Sequence, residues 1–226
     1  MNIMEKIRLC IFDMDGLLID TERYVWPVCQ KRAGIEQGVE ISDEFIRSLI
    51  GSNAAIFKTR VNSEFQNILD TDKYVNRVYE LTEQVCMNDK IPLRPGVLKV
   101  LNFCKENDIK MTIGTSTKRR IASKALANSG LKDYFEYVVY GEDVKSGKPD
   151  PETYLKSVEY YGLKPNECLV FEDSPTGAKA AYNGNIPLVF VEDLIKPTEL
   201  ENEKAFKILH QIDEIIPIIK KINGIG

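Results

Sequence analysis

Two aspartates, Asp13 and Asp15, stand two apart at the end of a short apolar run, Ile7 to Phe12. A buried strand ending in paired acids can be a polar turn, since Asp-Gly is a common turn signal, or a seat for a cation and a nucleophile. Three more stretches carry matching chemistry. Thr115-Ser116 follows the run Lys110 to Gly114, and Lys148 sits in Lys145-Ser146-Gly147-Lys148-Pro149, beyond Tyr137 to Gly141. Glu172-Asp173-Ser174 closes Cys168 to Phe171. Carboxylates gathered in one place repel each other and call for a cation. Oxygen-only donors without a neighbouring His or Cys suit a hard ion, and Mg2+ is the usual one beside phosphates. A hydroxyl, the backbone N–H groups of a helix starting near Lys118, and a lysine ammonium suit an anionic phosphoryl group. One carboxylate could then attack phosphorus to give an aspartyl-phosphate, with Asp15 protonating the leaving alcohol and activating water.

These residues matter only if the chain brings them together, and its hydrophobic rhythm predicts that it does. Ile7–Phe12, Lys110–Thr115, Tyr137–Gly141, Cys168–Glu172 and Pro187–Val191 read as short buried strands. Helices are expected from Pro95-Gly96 to about Glu106, over Lys118–Ser129, Pro151–Tyr161 and Pro175–Asn183, and along His210–Ile222 with its isoleucines on helical spacing. Alternating strands and helices imply an α/β fold, a Rossmann-like parallel sheet with helices on both faces. In such a sheet ligands bind beyond the carboxyl ends of the strands, where all four stretches fall. From about Asp20 to Met87 the strand signal vanishes and helical spacing takes over, as in Val25, Cys29, Arg32, Ala33 and in Phe57, Val61, Phe65, Ile68. The expected organisation is a catalytic core of residues 1–18 and 91–226 with a small all-helical cap, 19–90, inserted after the first strand.

In that setting DMDGLLIDTE, TIGTSTKR, KSGKPDPETY and LVFEDSPTGAKAA resemble the four ordered motifs of the haloacid dehalogenase superfamily. More narrowly they resemble its helical-cap members, the phosphoglycolate phosphatase and β-phosphoglucomutase-like proteins. The resemblance runs from Asp13 to Ala181. It implies an enzyme, a Mg2+-dependent phosphoric monoester hydrolase working through an aspartyl-phosphate. Asp13 would be nucleophile and metal ligand; Asp15 would be general acid/base, with its carbonyl on the metal. Thr115 and Ser116 would hold the phosphoryl group, and Lys148 would bridge nucleophile and phosphate. Asp173 would bind the metal, and Glu172 would do so directly or through water. The alternative is a sugar-phosphate mutase. The mutases keep a cap histidine where this chain has Tyr24-Val25-Trp26, and a cap arginine where it has Gly51-Ser52-Asn53-Ala54. Both absences favour a phosphatase of a small sugar or polyol phosphate. A phosphoacceptor or binding-only module is a weaker rival, being shorter and without a helical insert in the first case.

Other residues have plainer readings. Lys145 is a solvated rival to Lys148, and Asp20 is expected to cap the first insertion helix rather than to catalyse. Arg23, Arg47, Asn53, Lys58, Arg60 and Tyr79 are candidate readers of the substrate, with Trp26 and Tyr24 equally able to pack. A net charge of -4 argues against a general nucleic-acid partner. Five cysteines without a C-x-x-C pair read as buried thiols. No apolar stretch reaches membrane-spanning length, and MNIMEKIR lacks the apolar core of a signal peptide. A cytoplasmic monomer acting on a small phosphorylated molecule is the expectation.

Overall fold

The computed structural model describes residues 5–50, 52 and 54–226. Among them six strands form one parallel sheet: β1 (Leu9–Phe12), β2 (Lys110–Gly114), β3 (Tyr137–Val139), β4 (Cys168–Glu172), β5 (Leu188–Val191) and β6 (Lys207–Leu209). Their spatial order is β3-β2-β1-β4-β5-β6. β1 lies at the centre, with Phe12 paired to Ile113 on one side and Phe171 on the other. Alternate side chains of a strand point to opposite faces. Accordingly Leu9 and Ile11 enter one buried cluster, with Tyr154, Val158 and Ala178, while Cys10 and Phe12 enter another, with Val100, Leu101 and Ala122. A sheet covered on both faces is why β1 and β4 read as unbroken apolar runs. The Phe12 and Phe171 rings stack at 4.8 Å, tying the two central strands together just before their acids.

Between β1 and β2 the chain makes α1 (Thr21–Tyr24), α2 (Trp26–Ile35), α3 (Asp43–Ser48), α4 (Ala54–Glu64), α5 (Thr71–Asn88) and α6 (Val97–Glu106). The first five form the helical insertion. Ser42 and Asp70 cap α3 and α5, accepting from the N–H groups of Phe45 and Lys73 at 3.1 and 3.0 Å. Asp43 and Asp72 lie in the first turns. Helix α5 packs on α2 within the insertion and on α7 (Arg119–Asn128) of the sheet layer. There Asn128 Nδ2 donates to the Met87 carbonyl at 3.0 Å, and Arg120 pairs with Glu83. The two linkers run side by side. Asp20 N–H donates to the Pro92 carbonyl at 2.9 Å, and Arg94 N–H donates to that of Leu18 at 3.0 Å.

The remaining helices are α8 (Glu152–Tyr160), α9 (Pro175–Asn183), α10 (Glu199–Lys204) and α11 (Ile216–Asn223). The tail departs from its expected single helix. His210 lies in a turn after β6, Ile212–Ile215 is a 3-10 turn, and Pro217 sits in the first turn of α11. Proline is acceptable there because the first-turn N–H groups have no helical partner. The edge strand β6 is only three residues long and partly exposed, so it carries too little alternation to be seen in advance. All five cysteines are buried thiols. No helix among the described residues is long and apolar enough to cross a membrane.

Candidate active site

The register of β1 against its neighbours sets the site. With Phe12 opposite Ile113 and Phe171, the residues that follow each strand leave the sheet at the same level. Asp13 N–H still donates to the Phe171 carbonyl at 3.0 Å, so the aspartate emerges on an extended, fully bonded backbone. A slip of one residue would shift it by about 3.3 Å and turn it to the other face.

Lys148 bridges two of the acids. Its ammonium is bonded to Asp13 Oδ1 and, at 2.8 Å, to Glu172 Oε1. Lys145, its rival, is exposed. Tyr154 OH donates to Glu172 Oε1 at 2.6 Å. The other oxygen, Oε2, accepts from Asp173 N–H, Ser174 N–H and Ser174 Oγ at 3.1, 3.0 and 2.9 Å. Glu172 is thus wholly committed to holding Lys148 and the turn into α9. Ser174 Oγ also caps that helix, accepting from Gly177 N–H at 3.1 Å. A β-carbon on Gly177 would fall 1.6 Å from Glu172 Oε1, so only glycine lets the carboxylate lie there.

Asp13, Glu172 and Asp173 each present an oxygen within 4.8 Å of the other two. Burial pushes the Asp13 carboxyl up to about 8, against the pull of Lys148 and with help from Glu172 and Asp15. Burial, then Glu172 and Asp13, push Asp173 up as well. Burial acts the same way on Glu172, but the Lys148 charge and the hydrogen bonds outweigh it and hold that carboxyl below its ordinary range. Two buried acids that resist ionisation beside a third that is ionised form a donor set short of positive charge. All its donors are hard oxygens, so it fits a Mg2+ ion. Gly16, at φ +85°, makes the close approach possible, since a β-carbon there would lie 2.3 Å from Asp173 Oδ2.

Asp15 faces a different set of partners. Its Oδ2 accepts from Thr117 Oγ1 at 2.7 Å and from Thr115 Oγ1 at 3.5 Å. Thr115 Oγ1 in turn accepts the Thr117 N–H at 3.0 Å. Burial raises the Asp15 carboxyl from its ordinary value even though these threonines and Lys148 oppose it. Thr117 and Tyr154 were not singled out in the sequence. A threonine two places past a strand end reads as a turn residue, and a tyrosine inside a helix reads as core.

Above the acids lies a cavity of about 430 Å³, floored by Asp15, Ser116 and Asp173 and walled by Glu22, Trp26, Gln30, Phe57 and Tyr79 among others. The larger hollow, about 690 Å³, lies beside β3 and contains none of these acids. The wall rings stand edge to face, with Trp26 at 5.7 Å from Tyr79 and 6.2 Å from Phe57. Of the candidate readers among the described residues only Tyr79 lines this cavity, joined by Trp26. Tyr24 is exposed. Lys58 pairs with Asp72, and Arg60 bonds the Ser48 carbonyl. Arg47 is not in the wall, and Asn53 lies outside the described residues. Arg23 grips Asp193 at 2.5 and 2.7 Å, and Arg94 meets the same carboxylate at 2.8 Å, so these cations clamp the linkers to the loop after β5. Asp20 caps α1, its Oδ1 accepting from Arg23 N–H at 3.3 Å. Trp26 and Gln30 stand four apart on α2, which was the readable sign that they share a helix face, while Glu22 reaches the cavity from α1.

Comparison with known proteins agrees with this geometry. A model of haloacid dehalogenase-like hydrolases matches residues 10–191. A phosphorylated carbohydrates phosphatase of Thermotoga maritima is 31% identical over 214 residues, covering 94% of this chain and 98% of its own. The fructose-1-phosphate phosphatase YqaB of Escherichia coli is 31% identical over 190 residues, covering 83% and 97%. A Thermotoga maritima crystal structure superposes with a TM-score of 0.78 at 30% identity, over 96% of this chain and 100% of that one. The β-phosphoglucomutase of Clostridium difficile shares the fold, with a TM-score of 0.70 at 22% identity over 96% and 97%. The match begins inside the strand that carries Asp13, passes through the helical insertion and ends on the strand beyond Asp173, so this chain belongs to the haloacid dehalogenase-like hydrolases and is an enzyme of their phosphatase kind.

Proposed function

We propose that the protein hydrolyses a small, singly phosphorylated sugar or polyol, with Asp13 as nucleophile. The observation that carries this reading is the contrast between floor and wall of the 430 Å³ cavity: an acid-lined floor, with the Lys148–Asp13 pair beside it, lies under a wall whose described residues include no lysine or arginine. One phosphate is provided for at the floor. A second would meet the Glu22 carboxylate and aromatic rings, with no charge to receive it. That disfavours the mutase alternative, whose bisphosphate intermediates need two anion seats.

In the proposed reaction an Asp13 oxygen forms a bond to phosphorus as the bond from phosphorus to the leaving oxygen breaks. Asp15, whose carboxyl burial raises from its ordinary value, gives its proton to that oxygen. Water then attacks phosphorus, Asp15 takes the water's proton, and the bond to Asp13 breaks. Thr115 and Ser116 hold the phosphoryl oxygens, and Lys148 neutralises them while keeping Asp13 in place. Mg2+, held by the carboxylates of Asp13 and Asp173 and the carbonyl of Asp15, would supply charge neutralisation at the phosphoryl group. Glu172 belongs to that acid cluster, but its oxygens are already taken, and its part is to anchor Lys148. Residues 19–90 act as a cap whose inner wall meets the leaving group and keeps bulk water out.

The test is phosphate release from a panel of sugar and polyol monophosphates with Mg2+. Hydrolysis of several of them is the expected result. Isomerisation of β-glucose 1-phosphate without net phosphate release would contradict it.

A further inference from the structure

The cavity wall contains one polar group that the fold leaves unsatisfied. Gln30, on α2, is 3% exposed, and its Oε1 is buried without a hydrogen-bond partner. It lines the same cavity as Asp15 and Asp173. Buried polar atoms in folded proteins are nearly always bonded, and an exception marks a strained spot or a bond that another molecule completes. A carboxamide both donates and accepts, so it matches a hydroxyl group, which does the same. It matches neither a carboxylate nor a phosphate with the strength of a cation.

The surroundings narrow the partner further. Trp26, one helical turn before Gln30, stands edge to face with Tyr79 and Phe57, and these rings offer an apolar surface beside the amide. A sugar has that same division, with C–H groups on its faces and hydroxyls on its rim. Glu22, on the short helix α1 that precedes α2, lines the same cavity.

We infer that Gln30 selects the substrate by hydrogen-bonding a hydroxyl on the rim of a sugar whose C–H face rests on the Trp26, Phe57 and Tyr79 rings, so that five- and six-carbon sugar phosphates are preferred over glycerol 3-phosphate, which has no such face. This rests on the proposed phosphatase reading and adds to it a specificity-determining residue. Gln30 touches the leaving group and takes no part in bond breaking.

The experiment compares wild type with Gln30→Leu on ribose 5-phosphate, fructose 1-phosphate and glycerol 3-phosphate, with Mg2+, and measures thermal unfolding of both proteins without substrate. Wild type is expected to prefer at least one of the two sugars over glycerol 3-phosphate. In the variant kcat/KM for that sugar falls roughly tenfold, the value of one hydrogen bond, while kcat/KM for glycerol 3-phosphate stays within about twofold. The thermal midpoint does not fall, because the free protein loses no bond when an orphan amide is removed. Equal losses on both substrates, no loss on either, or a wild type without a preference for the longer sugars would each overturn the inference. Gln30→Met provides the same comparison if the leucine variant does not fold. A wild type that releases phosphate from none of the three contradicts the phosphatase reading itself, and that result is read before any variant is made.

Discussion

The edge of the sheet and the inner wall of the insertion solve opposite problems with similar materials. At the edge, buried polar side chains are tied to each other: Lys148 to Asp13 and Glu172, Tyr154 and Ser174 to Glu172, Thr117 to Asp15. On the wall, the Gln30 amide oxygen is just as buried and has no partner. Rings replace charges there, and Glu22 carries the only carboxyl among the wall residues named above. A phosphoryl group looks the same on every substrate, so the groups that act on it can be fixed in advance and held by one another. The alcohol differs between substrates, so the groups that judge it must stay open until it arrives. On the proposed reading, pre-organisation at the edge supports rate, and unsatisfied bonding on the wall supports choice.

That division is open to breakage, most severely at Asp13, the proposed nucleophile. Asp13→Asn keeps the shape of the side chain and is expected to lower turnover by at least about 10³-fold on every substrate alike, because the loss is in chemistry and not in selection. A variant that loses activity on some substrates and keeps it on others would erase the distinction. Steady-state rates on two sugar phosphates check it.

Lys148→Met comes next. It strips the counter-charge from Asp13 and Glu172 at once. Turnover is expected to fall by about 10²-fold or more, and stability by about 3 kcal/mol, as when one member of a buried ion pair is removed. Denaturant titration reads the second number. A stable Lys148→Met protein would mean that the acids do not depend on the lysine as the network implies.

The smallest effect concerns pH. Asp13 is pushed up from its ordinary 3.8 to about 8 by burial, and Glu22 from 4.5 to about 7. Between the ordinary and raised values the folded protein keeps protons that the unfolded chain has released. The stability that these two groups contribute to the metal-free protein is therefore fully present below their ordinary values and is lost as pH rises toward 8. Mg2+ favours the ionised acids, so its stabilisation should grow over the same range. Thermal midpoints from about pH 5 to 8, with chelator and with Mg2+, test this, and a chelated protein that gains stability with pH would refute it.

Much of the edge was legible before any coordinates. Asp13, Thr115, Lys148, Glu172 and Asp173 each follow or lie just beyond an apolar run, and parallel strands deliver such residues to one place. Helix α9 begins and ends where Pro175 and Gly184 say it should. The wall was less legible. Cations were sought as substrate readers, yet Arg23 is held by Asp193, which is 170 residues away, a pairing that no local pattern encodes. Thr117 and Tyr154 were hidden for the same reason, because their partners Asp15 and Glu172 come from other segments. Gln30 could not stand out in a sequence at all, since what distinguishes it is a missing bond. The strand β6 escaped notice because three residues, of which only Leu209 is buried, leave no periodicity to read.

The central claim is that Asp13 takes the phosphoryl group while the wall deals only with the alcohol. The most direct measurement is acid-quenched turnover of a ³²P-labelled sugar phosphate, followed by peptide mapping. The account predicts a hydroxylamine-labile label on the peptide that contains Asp13, absent from Asp13→Asn. Phosphate release without any labelled protein, or a label carried by another residue, would contradict it.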